Sequence, residues 1–300
     1  MVLMDAFATQ RASEVAAVAT FDHGTGSAAS RAARLVERTA LACELPVVSG
    51  RSEPASAVSE GAWRMARWRF LRGWAEELKA TIVTAHTRDD QIETVVLRIL
   101  RGSGARGLAG MLAEAAGVGP PVRPLLEVPR ADVVAYARAR AIPFHEDPSN
   151  ASLTHQRNRV RREILPALES AQPGFSEWCW DLGRRAAHLR VALAAVVDQA
   201  LAPTRTPDGA LVFGAGRAAA FGAAEWVVIW PELAARVGVA LDRRGIERAA
   251  AWAPTARRGS QIPLAGGAAI ERTVSTFVVR GADDPSHLGW PRIYIEGNDE

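Results

Sequence analysis

The sequence predicts an α/β protein: a doubly wound parallel sheet, then a second, mostly helical domain and a small C-terminal β element. Three observations carry this. Short β-rich runs alternate with helical periodicities over the first part of the chain, the pattern of strands joined by crossover helices. After Pro173 the chain turns Ala- and Trp-rich with helical spacing. Last come three short alternating runs around Gly266-Gly267. The expected domains are 1–170, 171–255 and 256–300.

In chain order, Met1 to Gln10 reads as a helix. Val15 to Phe21 reads as a strand ending at Asp22-His23-Gly24. Ala28 to Ala42 is helical, with Ala32, Leu35, Val36 and Thr39 on one side. Leu45 to Val48 is a short strand, Glu60 to Leu78 a long helix, and Ala80 to Ala85 a strand that leads into His86. Ile92, Val95, Val96, Ile99 and Leu100 share the face of the next helix, which Gly102 and Gly104 stop. Asp90 followed by Glu93 resembles a capping box at its start. Gly117 to Pro124 punctuates the chain. Arg130 to Ala141 is helical, Ile142 to Asn150 a loop, and His155 to Leu168 a basic helix interrupted or ended near Pro166. Phe175 to Leu201 and Ala218 to Trp252 are helical. Ser260 to Leu264, Ala268 to Arg272 and Thr276 to Arg280 are strands.

Three hundred residues with 48% hydrophobic content supply a sizeable core. No apolar run reaches the roughly 18 residues of a membrane span, and the start lacks the marks of a signal peptide. Cys43 and Cys179 are too isolated for a disulfide framework or zinc knuckle, so a cytoplasmic setting is expected. Net charge is +3, and Lys79 is the one lysine among 36 basic residues. A pI near 9.3 permits a nucleic-acid partner without establishing one.

Four constellations carry chemistry. His86, Asp90 and Glu93 fall where a strand exits into a helix, the place where parallel α/β sheets bind ligands. The two acids either hold magnesium or an ammonium group, or cap the helix. Arg98, Arg101 and Arg106 flank a glycine-broken loop suited to phosphate, which lacks the Gly-Lys-Ser/Thr ending of a Walker A loop. Arg157, Arg159, Arg161 and Arg162 wrap around one helix, some facing a phosphate backbone and others pairing with acids. Trp63, Arg64, Arg67, Trp68, Phe70, Leu71 and Trp74 share another helix. Trp68 and Leu71 are expected in the core, with Arg64 and Arg67 reaching the carboxyl edge of the sheet.

Together, DHG at Asp22 to Gly24, AWRMARWRFL at Ala62 to Leu71, AHTRDDQIETVVLRILRGSGARGLAGM at Ala85 to Met111, VRPLLEVPR at Val122 to Arg130, and HEDPSN followed by QRNRVRREILPALE at His145 to Glu169 resemble the tRNA(Ile)-lysidine synthetase family of the PP-loop ATP pyrophosphatases. The match is dense over about the first 170 residues. Gln261 to Gly267 matches more weakly a glycine-containing β element of the family's C-terminal part.

The resemblance implies that ATP adenylates C2 of the wobble cytidine of an isoleucine tRNA with a CAU anticodon, releasing pyrophosphate. Free L-lysine then displaces AMP, giving lysidine. It implies ATP and Mg2+ as cofactors, and no membrane. It assigns His86, Asp90, Glu93, Arg64 and Arg67 to catalysis, with Asp90 and Glu93 holding the metal or the lysine amine. Asp22, His23, Arg101 and Gly102 fall to ATP, and Arg157, Asn158, Arg159 and Arg161 to tRNA.

One departure accompanies the match. The family's first strand and its Ser-Gly-Gly-x-Asp-Ser phosphate loop are not found ahead of Met1-Val2-Leu3-Met4, which resembles the helix that follows the loop. The expectation is a start called at an internal Met; the alternative is a truncated, inactive paralogue that binds tRNA. Another PP-loop tRNA modifier, such as a thiolase, is disfavoured by the isolated cysteines. A nucleotide-binding α/β protein without a tRNA role completes the alternatives.

Overall fold

The computed structural model describes residues 1–24, 26–52, 60–112, 121–144, 152–264 and 267–281. Four features read from the sequence lie wholly or partly outside them: HEDPSN, the 117–120 half of the Pro/Gly punctuation, Ala265-Gly266, and the chain beyond 281. The chain divides into two compact units, one running to Ala187 and the other from His188.

In the first unit the elements are α1 (Val2–Gln10), β1 (Val18–Asp22), α2 (Ser27–Ala42), β2 (Val47–Arg51), α3 (Glu60–Glu77), α4 (Arg88–Leu100), the single turn α5 (Ala105–Leu108) and α6 (Arg130–Ala139). β1 and β2 pair in parallel, Val18 opposite Val47 and Asp22 opposite Arg51, with α2 as the crossover. Phe70 of α3 closes over Gly50 so tightly that a Cβ there would stand 2.6 Å from its ring. Phe70 is buried, whereas Trp68 and Leu71, expected in the core, are only partly buried.

The Ala80 to Ala85 run corrects one expectation. Among the described residues it forms one parallel bridge, Val83 with Val122, and no strand. Val122 N–H donates to the Ile82 carbonyl at 2.8 Å and Thr84 N–H to the Val122 carbonyl at 2.9 Å. The next rung would need an N–H from residue 124, which is proline.

Next come α7 (Gln156–Arg159), a π turn (Val160–Ile164), α8 (Leu165–Ala171) and α9 (Phe175–Leu201), which continues past Ala187. Pro166 does not end the helical run. It withholds the N–H that the Arg162 carbonyl would accept, and the wider π turn lies just ahead of it. Ile92, Val95, Val96, Val160, Cys179 and Trp180 form a buried cluster that fixes α4 against this run and the start of α9.

The second unit contains an antiparallel sheet, in order β3 (Thr204–Arg205), β4 (Leu211–Gly214), β7 (Thr276–Arg280), β6 (Ala269–Arg272) and β5 (Ser260–Pro263). With it lie the single turn α10 (Ala215–Ala218), α11 (Ala223–Arg236) and α12 (Arg243–Trp252). Sequence reading missed β3 and β4, which are too short for their alternation to stand out. One hydrophobic core serves helices and sheet alike. Trp226 stacks on Trp230 at 4.5 Å and Phe213 on Phe277 at 5.5 Å, with Ile262, Ile270 and Val279 beneath. The boundaries drawn at 170 and 255 therefore differ from this division: the compact units part inside α9, and the β element shares its core with the helices before it.

Candidate active site

The site is organised by seven consecutive residues, Thr87 to Glu93, at the start of α4. Thr87 is extended (φ −103°, ψ 174°) and caps the helix. The capping box is Thr87 with Asp90, one turn earlier than the expected Asp90 with Glu93. Asp90 Oδ2 accepts the Thr87 N–H and hydroxyl, both at 2.8 Å. Arg88 lies over the Trp180 ring and pairs with Glu177. Asp89 accepts the Arg130 N–H at 2.7 Å and so caps α6. Gln91 is fully buried; its amide donates to the Ala109 carbonyl at 3.0 Å and accepts the Met111 N–H at 2.7 Å. Between those two partners Gly110 has φ +57°, and a Cβ there would stand 2.6 Å from Gln91. The glycine-broken loop is thus pinned to the helix that carries the two acids.

Asp90 and Glu93 are occupied by arginines. Asp90 Oδ1 accepts from Arg130 and Arg157, each at 3.0 Å. Glu93, 2% exposed, accepts from Arg157 Nε at 2.7 Å and from Arg161 Nε and Nη2 at 2.5 and 3.0 Å. Burial raises the Asp90 carboxyl, but the Thr87 hydrogen bonds and the charges of Arg130 and Arg157 more than offset it, leaving the group below its usual range. No His, Cys, Asp and Glu grouping fit for a metal occurs among the described residues. The oxygens expected to hold Mg2+ or an ammonium group are instead taken by guanidinium forks.

His86 sits beside this anchor with its Nδ1 2.9 Å from Thr84 Oγ1. Burial lowers its pKa to about 4, helped by Arg123, Arg157 and Arg67 and opposed by Asp90. The imidazole is therefore neutral near pH 7. A folded pKa below the unfolded value stabilises the fold above about pH 6.5, and that contribution is lost as pH falls toward about 4. Allowing for partial solvent exposure, the loss is about 1–3 kcal/mol. His86→Gln should flatten this part of the pH–stability curve in urea titrations; an unchanged slope would show that His86 is not its source.

Arg67, on α3, faces both halves of the site. Its charge lowers the pKa of His23, next to Asp22 at the end of β1, as well as that of His86. Burial holds the Arg67 guanidinium below its ordinary value, with Arg64 and Arg157 adding to the effect. Among the described residues, Arg67 Nε, Arg123 Nε, Arg130 Nε and His23 Nδ1 are buried without hydrogen-bond partners. Clustered cations with unspent donors are the chemistry of an anion site. Nearby, Asp22 accepts from Gly24 N–H (2.8 Å) and Ser30 Oγ (2.7 Å). Burial opposes these bonds and the Arg51 charge, which together keep the Asp22 carboxyl below its usual range.

The structure thus brings together His86, Asp90, Glu93, Arg67, Arg157 and Arg161, with Arg64 and His23 within electrostatic reach of Arg67. It spends other candidates differently. Arg101 donates to Gln156 at 2.8 Å, and Gly102 turns the end of α4 with φ +65°. Asn158 is buried and donates to the Ser152 carbonyl, while Arg159 is exposed beside Glu163. Arg157, Asn158 and Arg161, expected on a nucleic-acid face, turn inward. Thr87, Gln91, Arg123 and Arg130 were missed. The Arg123–Met111 carbonyl bond (3.0 Å) and the Arg130–Asp90 bond join segments distant in sequence, which local periodicity does not report.

The profile of the PP-loop domain matches residues 1–168. The chain is similar to the tRNA(Ile)-lysidine synthase of Parasynechococcus marenigrum, 36% identical over 63% of this chain and 58% of that protein. It is also similar to that of Salinispora arenicola, 36% identical over 91% of this chain and 84% of that protein. The chain spans 58%, 54% and 65% of three such relatives. A solved structure, the U34-tRNA thiolase NcsA from Methanococcus maripaludis, is similar at TM-score 0.48 and 16% identity, covering 57% of this chain and 62% of that one.

Proposed function

Because the chain belongs to the tRNA(Ile)-lysidine synthase family of PP-loop proteins, we propose that it serves ATP-dependent formation of lysidine at the wobble cytidine of an isoleucine tRNA with a CAU anticodon. The observation that carries the reading is the group of cations around Arg67, whose buried Nε has no partner while Asp90 and Glu93 fix the neighbouring arginines.

In the proposed first step the cytidine oxygen on C2 attacks the α-phosphorus of ATP, and pyrophosphate leaves. Negative charge builds on the phosphate oxygens, and Arg67, with Arg64 and Arg123, supplies positive charge there without rearranging. In the second step a lysine amine attacks C2, the C2–oxygen bond breaks, and AMP departs. Neutral His86 fits a contact with the reacting centre, because it adds no further cation beside Arg67 and Arg157. Asp90 and Glu93 act as anchors that aim arginines. Mg2+ would enter with the nucleotide and offset charge on its phosphates.

The test is incorporation of labelled lysine into a CAU-anticodon transcript with ATP. Incorporation there, and none into the same transcript carrying a GAU anticodon, is the expected result. RNA adenylation without lysine transfer would point to a different PP-loop tRNA modifier; no RNA-dependent use of ATP would remove the reading.

A further inference from the structure

The family resemblance assigned RNA contacts to Arg157, Asn158, Arg159 and Arg161; Arg157, Asn158 and Arg161 are spent inside the protein, and exposed Arg159 lies 3.9 Å from Glu163. A strand delivered to the site needs other cations. α2 carries them: Arg31, Arg34 and Arg38 are exposed, and their spacing of three and four residues sets them in one row. At 1.5 Å per residue the row runs about 10 Å along the helix. With Leu35 these three side chains line a shallow concavity of about 310 Å³. Among the described residues none of the three has an ion-pair partner; Arg31 donates only to Ser27 Oγ, at 3.0 Å.

The first residue of the row follows directly on the residue that ties α2 to the end of β1. Ser30, next to Arg31, donates to Asp22 at the end of β1, beside His23. We propose that Arg31, Arg34 and Arg38 form a track for the phosphate backbone of the RNA strand whose reacting nucleotide enters the site. This rests on the RNA reading above and adds where the strand runs. No aromatic side chain lies in the row, so the track positions backbone and does not read bases. Three guanidinium groups without acidic neighbours in contact favour a polyanion over a neutral or apolar partner.

The test compares the chain with a triple variant, Arg31→Glu, Arg34→Glu and Arg38→Glu, and with a triple Arg→Lys control. Binding of the CAU transcript is measured between about 50 and 300 mM salt. The charge-reversed protein should bind at least about tenfold more weakly. Its slope of log affinity against log salt should fall by about 2, three contacts at about 0.7 each. The lysine control should keep the slope. All three positions are exposed, so thermal melting should not move. Wild-type affinity and slope in the charge-reversed protein would overturn the track while leaving the RNA reading intact. A wild-type chain that does not bind the transcript would overturn both. Unchanged RNA binding with lost adhesion to anionic lipid vesicles would assign the row to a membrane surface and also overturn the track.

Discussion

Glu93→Ala should destabilise the first unit by about 3 kcal/mol, within the range for removing one member of a buried ion pair. The carboxylate is 2% exposed and receives three hydrogen bonds from Arg157 and Arg161, so its loss leaves two half-buried guanidinium groups facing each other. Urea unfolding should show a lower midpoint with an unchanged slope. Glu93→Gln keeps the shape, retains one acceptor oxygen and removes the charge, so it should fall between wild type and Ala. The Arg157 pairing also fixes Asp90, so lysine incorporation should drop in both variants. A midpoint shift worth less than about 1 kcal/mol for Glu93→Ala would mean that the arginines find other partners and that Glu93 is not their anchor.

Arg67→Ala should act in the opposite sense on stability. The side chain is a partly buried cation with an unspent, buried Nε and with Arg64 and Arg157 as electrostatic neighbours, so removing it relieves desolvation and repulsion. Stability should hold or rise, while RNA-dependent pyrophosphate release should fall by about 100-fold or more, as for loss of a preorganised charge donor. Arg67→Lys should not restore it, because an ammonium cannot reproduce the planar fork. NMR titration gives an independent readout: the pKa values of both His23 and His86 should rise in Arg67→Ala, since the Arg67 charge depresses both. If pyrophosphate release persists at wild-type rate, the anion site lies elsewhere.

The candidate site was legible where local chemistry dictates position. His86, Asp90 and Glu93 stand out because a β-rich run, a helix start and an apolar face at i, i+3 and i+4 meet there. Arg67 was legible as an arginine interleaved with aromatics on a helix. The partners were not. Arg123, Arg130, Arg157 and Arg161 reach Met111, Asp90 and Glu93 from positions 12 to 68 residues away in sequence. A dense arginine cluster reads the same whether it faces water, phosphate or a buried carboxylate, and the choice rests on which residues fold beneath it. The capping box shows the same limit on a small scale. Thr87–Asp90 and Asp90–Glu93 share the three-residue spacing, and the extended backbone at Thr87 selects the first.

By itself the sequence determined the alternation of strands and helices in the first unit, the bounds of α9, the three C-terminal strands and the motif that starts α4. These follow from periodicity, glycine and proline placement, and capping chemistry, each set within a few residues. Tertiary structure alone decided that one core unites helices and sheet in the second unit. It also decided that Ala80 to Ala85 stops at one bridge, and that the acids of the motif hold arginines. Each of these depends on groups brought together across the chain: a shared apolar face, a proline on the neighbouring segment, and guanidinium groups that compensate a carboxylate removed from water.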